Sequence, residues 1–143
     1  MVAGSEICTD GNQLHDRSLH ARWPTTMGDV FDKLAAAASF TYQNTAVCFF
    51  GHTHVPVAFI RDSMVRGGTY SKFKVEAGKK YFVNVGAIGQ PRDNNPKAAY
   101  VVYDMNEGTI ELRRLEYDIP MTQKKILDAG LPPRLAERLA FGR

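Results

Sequence analysis

Ala46-Val47-Cys48-Phe49-Phe50-Gly51-His52-Thr53-His54-Val55-Pro56 is the stretch on which the reading of this chain turns. Its first five residues are apolar without a break. A short continuous apolar run ahead of a glycine predicts a strand buried on both faces. Gly51 lets the backbone turn without a Cβ clash. Two imidazoles follow, at the carboxyl end of that strand, the edge at which open α/β sheets bind ligands. In an extended segment, alternation would send His52 and His54 to the same side. Neutral imidazole is the commonest protein ligand for divalent transition metals, so this pair is the first metal-ligand candidate. The alternative is two hydrogen-bonded histidines at a strand end.

Upstream, Thr26 to Asp29 has capping-box spacing. Phe31, Leu34, Ala35 and Ala38 then fall at i, i+3, i+4 and i+7, predicting a helix over residues 29–40. A helix feeding a buried strand is the second half of a parallel crossover, whose partner strand should come earlier. Residues 1–27 carry turn-forming residues and no sustained period, so they read as a poorly patterned arm ahead of a domain over 28–143.

Downstream, the pattern becomes antiparallel β. Residues 57–60 are apolar, and 61–68 read as a turn or loop. Residues 69–75 alternate, with Phe73 and Val75 on one face and Lys72 and Lys74 on the other. Glu76-Ala77-Gly78-Lys79 then turns the chain into a returning strand over 80–85. Residues 98–104 and 109–117 form a hairpin closed by Asn106-Glu107-Gly108. Alternation slips between Leu112 and Leu115, predicting a bulge near Arg113-Arg114. Pro120 suits a first helical turn, Gly130 a helix end, and Pro132-Pro133 the start of a last short helix. Phe49, Phe50, Tyr81, Phe82, Tyr100 and Tyr103 fall on these strands and read as core.

Composition sets the limits. The chain has 143 residues, a formal net charge of +3, 44% hydrophobic and 23% charged residues. Those values fit one globular domain and are not those of a disordered chain. Cys8 and Cys48 make no disulfide framework, which together with the absence of a signal pattern suits the cytoplasm. No apolar run is long enough to span a membrane. The charge is too mild to imply nucleic acid.

Phe49-Phe50-Gly51-His52-Thr53-His54-Val55-Pro56 resembles the last metal-binding motif of the calcineurin-like metallophosphoesterases. Asn84-Val85-Gly86-Ala87-Ile88-Gly89-Gln90-Pro91-Arg92-Asp93 is similar to the glycine-rich loop of their bacterial phosphodiesterase and diadenosine tetraphosphatase-like branch. Ala99-Tyr100-Val101-Val102-Tyr103-Asp104 and Ala129-Gly130-Leu131-Pro132 fit that branch too. The likeness runs over residues 29–143. It implies α/β architecture: the C-terminal half of a four-layer αββα sandwich, with mostly antiparallel strands after one buried parallel strand, and helices at the end. It implies a cleft holding two divalent metals (manganese, iron, nickel or zinc) with His52 on one and His54 on the other. A metal-activated hydroxide would then hydrolyse a phosphate mono- or diester, a nucleotide among the candidates.

The same family pattern includes an Asp-x-His, a Gly-Asp that bridges the metals, and an Asn-His pair supplying a general acid. None is found here. Gly28-Asp29 opens the predicted helix and reads as a cap; Gly11-Asn12 is followed by Gln13. A further histidine motif could survive as His20-Ala21, against the alternative of an exposed loop residue beside Arg17 and Arg22. Two or three imidazoles and no bridging carboxylate imply one ion or none, and a chain that has either lost the front half of its site or diverged there beyond recognition. For Asn84 and Arg92, two readings stand. They flank substrate phosphate, or the loop is a tight connection in which Arg92 pairs with Asp93. The resulting expectation is a metal-dependent phosphoesterase. The alternative is a non-catalytic interaction module, in which a second copy or a complementary chain covers exposed sheet. A plain metal-binding domain is a third reading.

Overall fold

A computed structural model describes residues 33–143, with side chains from residue 36 onward. The arm over 1–27, the capping box, the start of the first helix and His20 lie outside the described residues. Helix α1 (Lys33–Tyr42) leads into β1 (Val47–Phe50), β2 (Val57–Arg61), β3 (Val65–Gly68), β4 (Lys72–Lys74), β5 (Lys80–Asn84), β6 (Ala98–Asp104) and β7 (Thr109–Leu115). Helices α2 (Ile119–Asp128) and α3 (Pro133–Glu137) follow, and a 3-10 turn over Arg138–Phe141 ends the chain. Among the described residues no helix is long and apolar enough to cross a membrane.

The strands form two sheets, β1-β5-β2-β3 and β4-β7-β6. Pleating divides the first sheet's side chains between two cores. Cys48, Phe50, Val57, Phe59 and Phe82 pack with Ala36 and Phe40 of α1. Phe50 and Phe82 stack there with centroids 4.0 Å apart. On the opposite face, Val47, Ala58, Tyr81 and Val83 meet Ile110 of the second sheet, with Phe49, Phe73 and Tyr103 around them. The layers therefore run α1, first sheet, second sheet. The architecture is mixed α/β, mostly antiparallel, with one parallel pair and helices at the C-terminal end.

Among the described residues the partner of β1 is β5, later in the chain, with Val47 opposite Tyr81 and Phe50 opposite Asn84. The earlier partner strand expected from the crossover reading falls outside the described residues. Three departures have local causes. Residues 61–68, expected as a loop, contain β3, which pairs with β2. Gly67 and Gly68 hide this strand from propensity, but Phe59 requires the first of them. A Cβ on Gly67 would lie 2.3 Å from Phe59 Cδ1.

The turn at 76–79 is not a hairpin. It carries the chain from β4 in the second sheet to β5 in the first. Tyr81 spans the two sheets: its ring stacks on Phe73 at 5.4 Å, and its hydroxyl accepts from the Glu76 N–H at 2.9 Å.

The expected bulge near Arg113-Arg114 is absent, because β6 and β7 pair without interruption from Asp104↔Thr109 to Ala98↔Leu115. Ile110, Leu112 and Arg114 share a face, and Arg114 is accommodated there by its ion pair with Asp93, while Leu115 is left 59% exposed. Period 2 was kept; an arginine took an inward place. Tyr100, expected in the core, is on the exposed side of β6.

Candidate functional site

β1 and β5 run parallel, so their carboxyl ends lie side by side, and each opens into a loop rather than a hairpin. The first loop carries His52 and His54, and the second carries Gln90 and Arg92. The Val85 N–H donates to the Phe50 carbonyl at 3.0 Å, and the Arg92 N–H to the His54 carbonyl at 3.2 Å. These two bonds join the loops at both ends.

The histidine segment is not extended. His52 has φ of 74° and His54 of 63°. The Thr53 N–H closes a three-residue turn onto the Gly51 carbonyl at 3.0 Å. Left-handed φ costs a residue with a Cβ about 1–2 kcal/mol. Two such residues around one turn persist only where their surroundings over-determine them, a pattern concentrated at functional sites.

Asn84 is the determinant. It is fully buried at the end of β5. Its Nδ2 donates to the Gly51 carbonyl at 2.9 Å and to Thr53 Oγ1 at 2.8 Å, while its Oδ1 accepts from the Gly86 N–H at 2.9 Å. One amide therefore clamps both loops. With its donors and acceptor so used, Asn84 positions the histidines from beneath. Gly86 fits tightly beside it, at φ 82°, where a Cβ would come within 2.7 Å of Ala99 Cβ and 2.9 Å of Pro56 Cγ.

His54 is half-buried, and its Nδ1 lies 2.8 Å from the Gln90 carbonyl oxygen. A carbonyl can only accept, so Nδ1 carries the proton and Nε2 is left with a lone pair. Burial is the largest influence on this imidazole and holds its pKa below the ordinary histidine value. The Gln90 carbonyl opposes that shift, whereas Arg92, Arg138 and His52 reinforce it. A neutral ring with a fixed tautomer and a free Nε2 is the form that ligates metal. His52 is exposed on the same loop. Among the described residues, no group of three or more histidine, cysteine, aspartate or glutamate side chains is gathered to hold an ion. The donor chemistry therefore fits part of a metal site.

Arg92 does not pair with Asp93, which is bound by Arg114. Instead Arg92 Nη2 donates to Gln90 Oε1 at 2.9 Å, and Arg138 Nη2 donates to the same oxygen. Sequence reading missed Gln90, Thr53 and Arg138. The first two sit inside quoted motifs and could have been weighed; Arg138 arrives from the C-terminal turn and carries no motif. Lys72 and Lys74, on the face of β4 opposite Phe73, are both exposed, whereas Lys80 reaches the Gln43 carbonyl.

No family model matches the chain. The chain is 39% identical over 97 residues to an uncharacterized protein of Methanocaldococcus jannaschii, covering 66% of this chain and 39% of that protein. A crystal structure of a metallophosphoesterase from Sphaerobacter thermophilus superposes with a TM-score of 0.65 at 35% identity, over 76% of this chain and 46% of that one. A hypothetical protein from Pyrococcus horikoshii gives a TM-score of 0.52 at 18% identity, over 75% of this chain and 36% of that one, a likeness of fold alone. The chain thus spans less than half the length of each. Among the described residues, the two sheets, their one parallel pair and the closing helices together constitute a metallophosphoesterase-like half-fold.

Proposed function

We propose that this chain carries the C-terminal part of a calcineurin-like metallophosphoesterase site, of the bacterial phosphodiesterase or diadenosine tetraphosphatase-like branch, and acts on a phosphate mono- or diester, nucleotides included. The observation that supports this best is His54, neutral and tautomer-locked by Gln90 on a left-handed loop beneath which Asn84 is buried. His54 Nε2 and the His52 ring would hold a divalent cation: manganese, iron, nickel or zinc. Such a cation, when bound, lowers the pKa of water and neutralises phosphate charge. The chain's own contribution is to keep His54 deprotonated at Nε2, to hold the two rings on one rigid loop and to bring Arg92 to the same rim. His20 would be a third ligand. A bridging carboxylate and a general acid would come from outside the described residues, within this polypeptide or from a complementary one.

The test is hydrolysis of a chromogenic phosphodiester with manganese, alongside a direct measure of metal uptake. A rate that disappears in His52→Ala and His54→Ala supports catalysis by this chain. Absence of a rate with each of the four metals removes it.

A second reading is favoured by β1. Its side chains are mostly buried on both faces, yet among the described residues it pairs on one edge only. In this reading the chain is a non-catalytic module whose β1 edge accepts a strand from a second copy or from a complementary chain. A concentration-independent monomer in sedimentation, with no added mass on mixing with an N-terminal metallophosphoesterase fragment, would exclude it.

A further inference from the structure

Arg92 and Arg138 reach one place from opposite directions. Arg92 comes from the loop after β5, and Arg138 from the turn after α3. Their Nη2 groups share a single neutral acceptor, Gln90 Oε1. Two guanidinium groups drawn to one amide oxygen repel each other unless negative charge is supplied. Among the described residues neither arginine forms an ion pair with a carboxylate. The acidic neighbour in sequence, Asp93, is taken by Arg114 in a two-pronged ion pair. In addition, the Nε atoms of Arg92 and Arg138 are both shut off from solvent without an acceptor. Buried guanidinium donors normally find partners, so two orphaned Nε–H groups in one cluster indicate an absent acceptor. Burial holds Arg138 below the usual arginine range, with Arg92 and then Arg134 contributing as like charges.

The cluster is also tied to the histidine loop. The same residue that gathers the two arginines by its side chain receives the His54 Nδ1–H on its main-chain oxygen. The Arg92 N–H in turn holds the His54 carbonyl at 3.2 Å.

We propose that Arg92 and Arg138 form an oxyanion clamp beside His54 that takes a tetrahedral phosphate group, with Gln90 Oε1 holding the pair in place until the anion arrives. Planar guanidinium forks match phosphate oxygens in two-point contacts. The reading deepens the phosphoesterase proposal by assigning substrate-phosphate recognition to Arg138, from the C-terminal turn, as well as to Arg92.

The test uses the full chain without added metal, in chelator, at constant ionic strength. Inorganic phosphate and phenyl phosphate are titrated separately, and the arginine Nε–H resonances are followed by NMR. Saturable shifts of the Arg92 and Arg138 signals are expected, with a ten-fold or greater loss of affinity in Arg92→Gln and Arg138→Gln. Arg138→Lys, which keeps the charge, should retain part of the affinity. Arg113→Gln, which removes an exposed arginine paired with Glu111, should leave binding unchanged. If phenyl phosphate binds as well as phosphate, the clamp serves an ester; if only inorganic phosphate binds, it serves the free ion. Shifts no larger than chloride produces, or undiminished binding in both glutamine variants, would overturn the clamp. Such a result alongside normal metal uptake at His54 would leave the phosphoesterase proposal standing. Phosphate binding without metal uptake would support the clamp and count against that proposal.

Discussion

His54 donates its Nδ1–H to the main-chain oxygen of Gln90 across 2.8 Å, joining residues that lie thirty-six apart in sequence. Because the acceptor is main chain, replacing the Gln90 side chain leaves the imidazole tautomer in place. Gln90→Ala should therefore preserve the nitrogen-15 signature of a Nδ1–H histidine and divalent-metal affinity, while releasing Arg92 and Arg138. Loss of metal affinity in Gln90→Ala would show that the arginine cluster, rather than the carbonyl, orients His54.

The burial of the same ring sets a pH dependence. Burial depresses the His54 pKa relative to an unfolded histidine. As pH falls, the unfolded chain takes up a proton at this residue before the folded one does. The stabilisation is therefore intact above about pH 6.5 and declines below it, towards the folded-state pKa. Denaturation midpoints measured between pH 7.5 and pH 5 should fall in the wild type and fall less in His54→Gln. Parallel curves for the two proteins would contradict this assignment.

Both histidines store backbone strain. In His52→Gly the left-handed φ of 74° becomes free of Cβ crowding. Folding stability should then stay within about 1 kcal/mol of wild type, the gain in the folded state being offset by a more flexible unfolded chain. Metal affinity, by contrast, should drop at least ten-fold. Calorimetry of unfolding and of metal binding separates the two effects. A large loss of stability would mean that His52 serves the fold.

Asn84→Ala removes a fully buried amide that serves Gly51, Thr53 and Gly86. Leaving such groups unpaired costs roughly 1–3 kcal/mol each, partly recovered by local relaxation. A destabilisation of about 3 kcal/mol is expected by chemical denaturation, with weakened metal binding as the loop loses its shape. Asn84→Asp lacks the donors and should not rescue either property.

Gly67→Ala drives a methyl group into the Phe59 ring, the closest approach being 2.3 Å. Overpacking of this kind costs about 1–3 kcal/mol. Phe59→Leu removes the obstructing edge, so the double variant should be more stable than the sum of the single losses predicts. Additive losses in a double-mutant cycle would place the strain elsewhere.

The sequence by itself determined the elements whose signals are local. An unbroken apolar run fixed β1, alternation over residues 69–75 marked β4, and Gly108 with its positive φ fixed the turn into β7. The composition of the histidine motif and its place after β1 were equally legible, because a strand end and a glycine are local facts. Tertiary structure decided the rest. Phe59, eight residues before Gly67, turned a glycine-rich loop into β3. Asp93 allowed Arg114 to occupy an inward place, so an apparent bulge was a regular ladder. The left-handed histidine turn depends on Asn84, and the tautomer of His54 on Gln90, through contacts that close only once β1 and β5 lie parallel. Arg138 reaches that rim only through the packing of the C-terminal helices. Hydrophobic period and turn chemistry act over a few residues and can be read from the chain. Hydrogen-bond satisfaction and charge pairing act between segments that the sequence leaves far apart, so the fold alone specifies them.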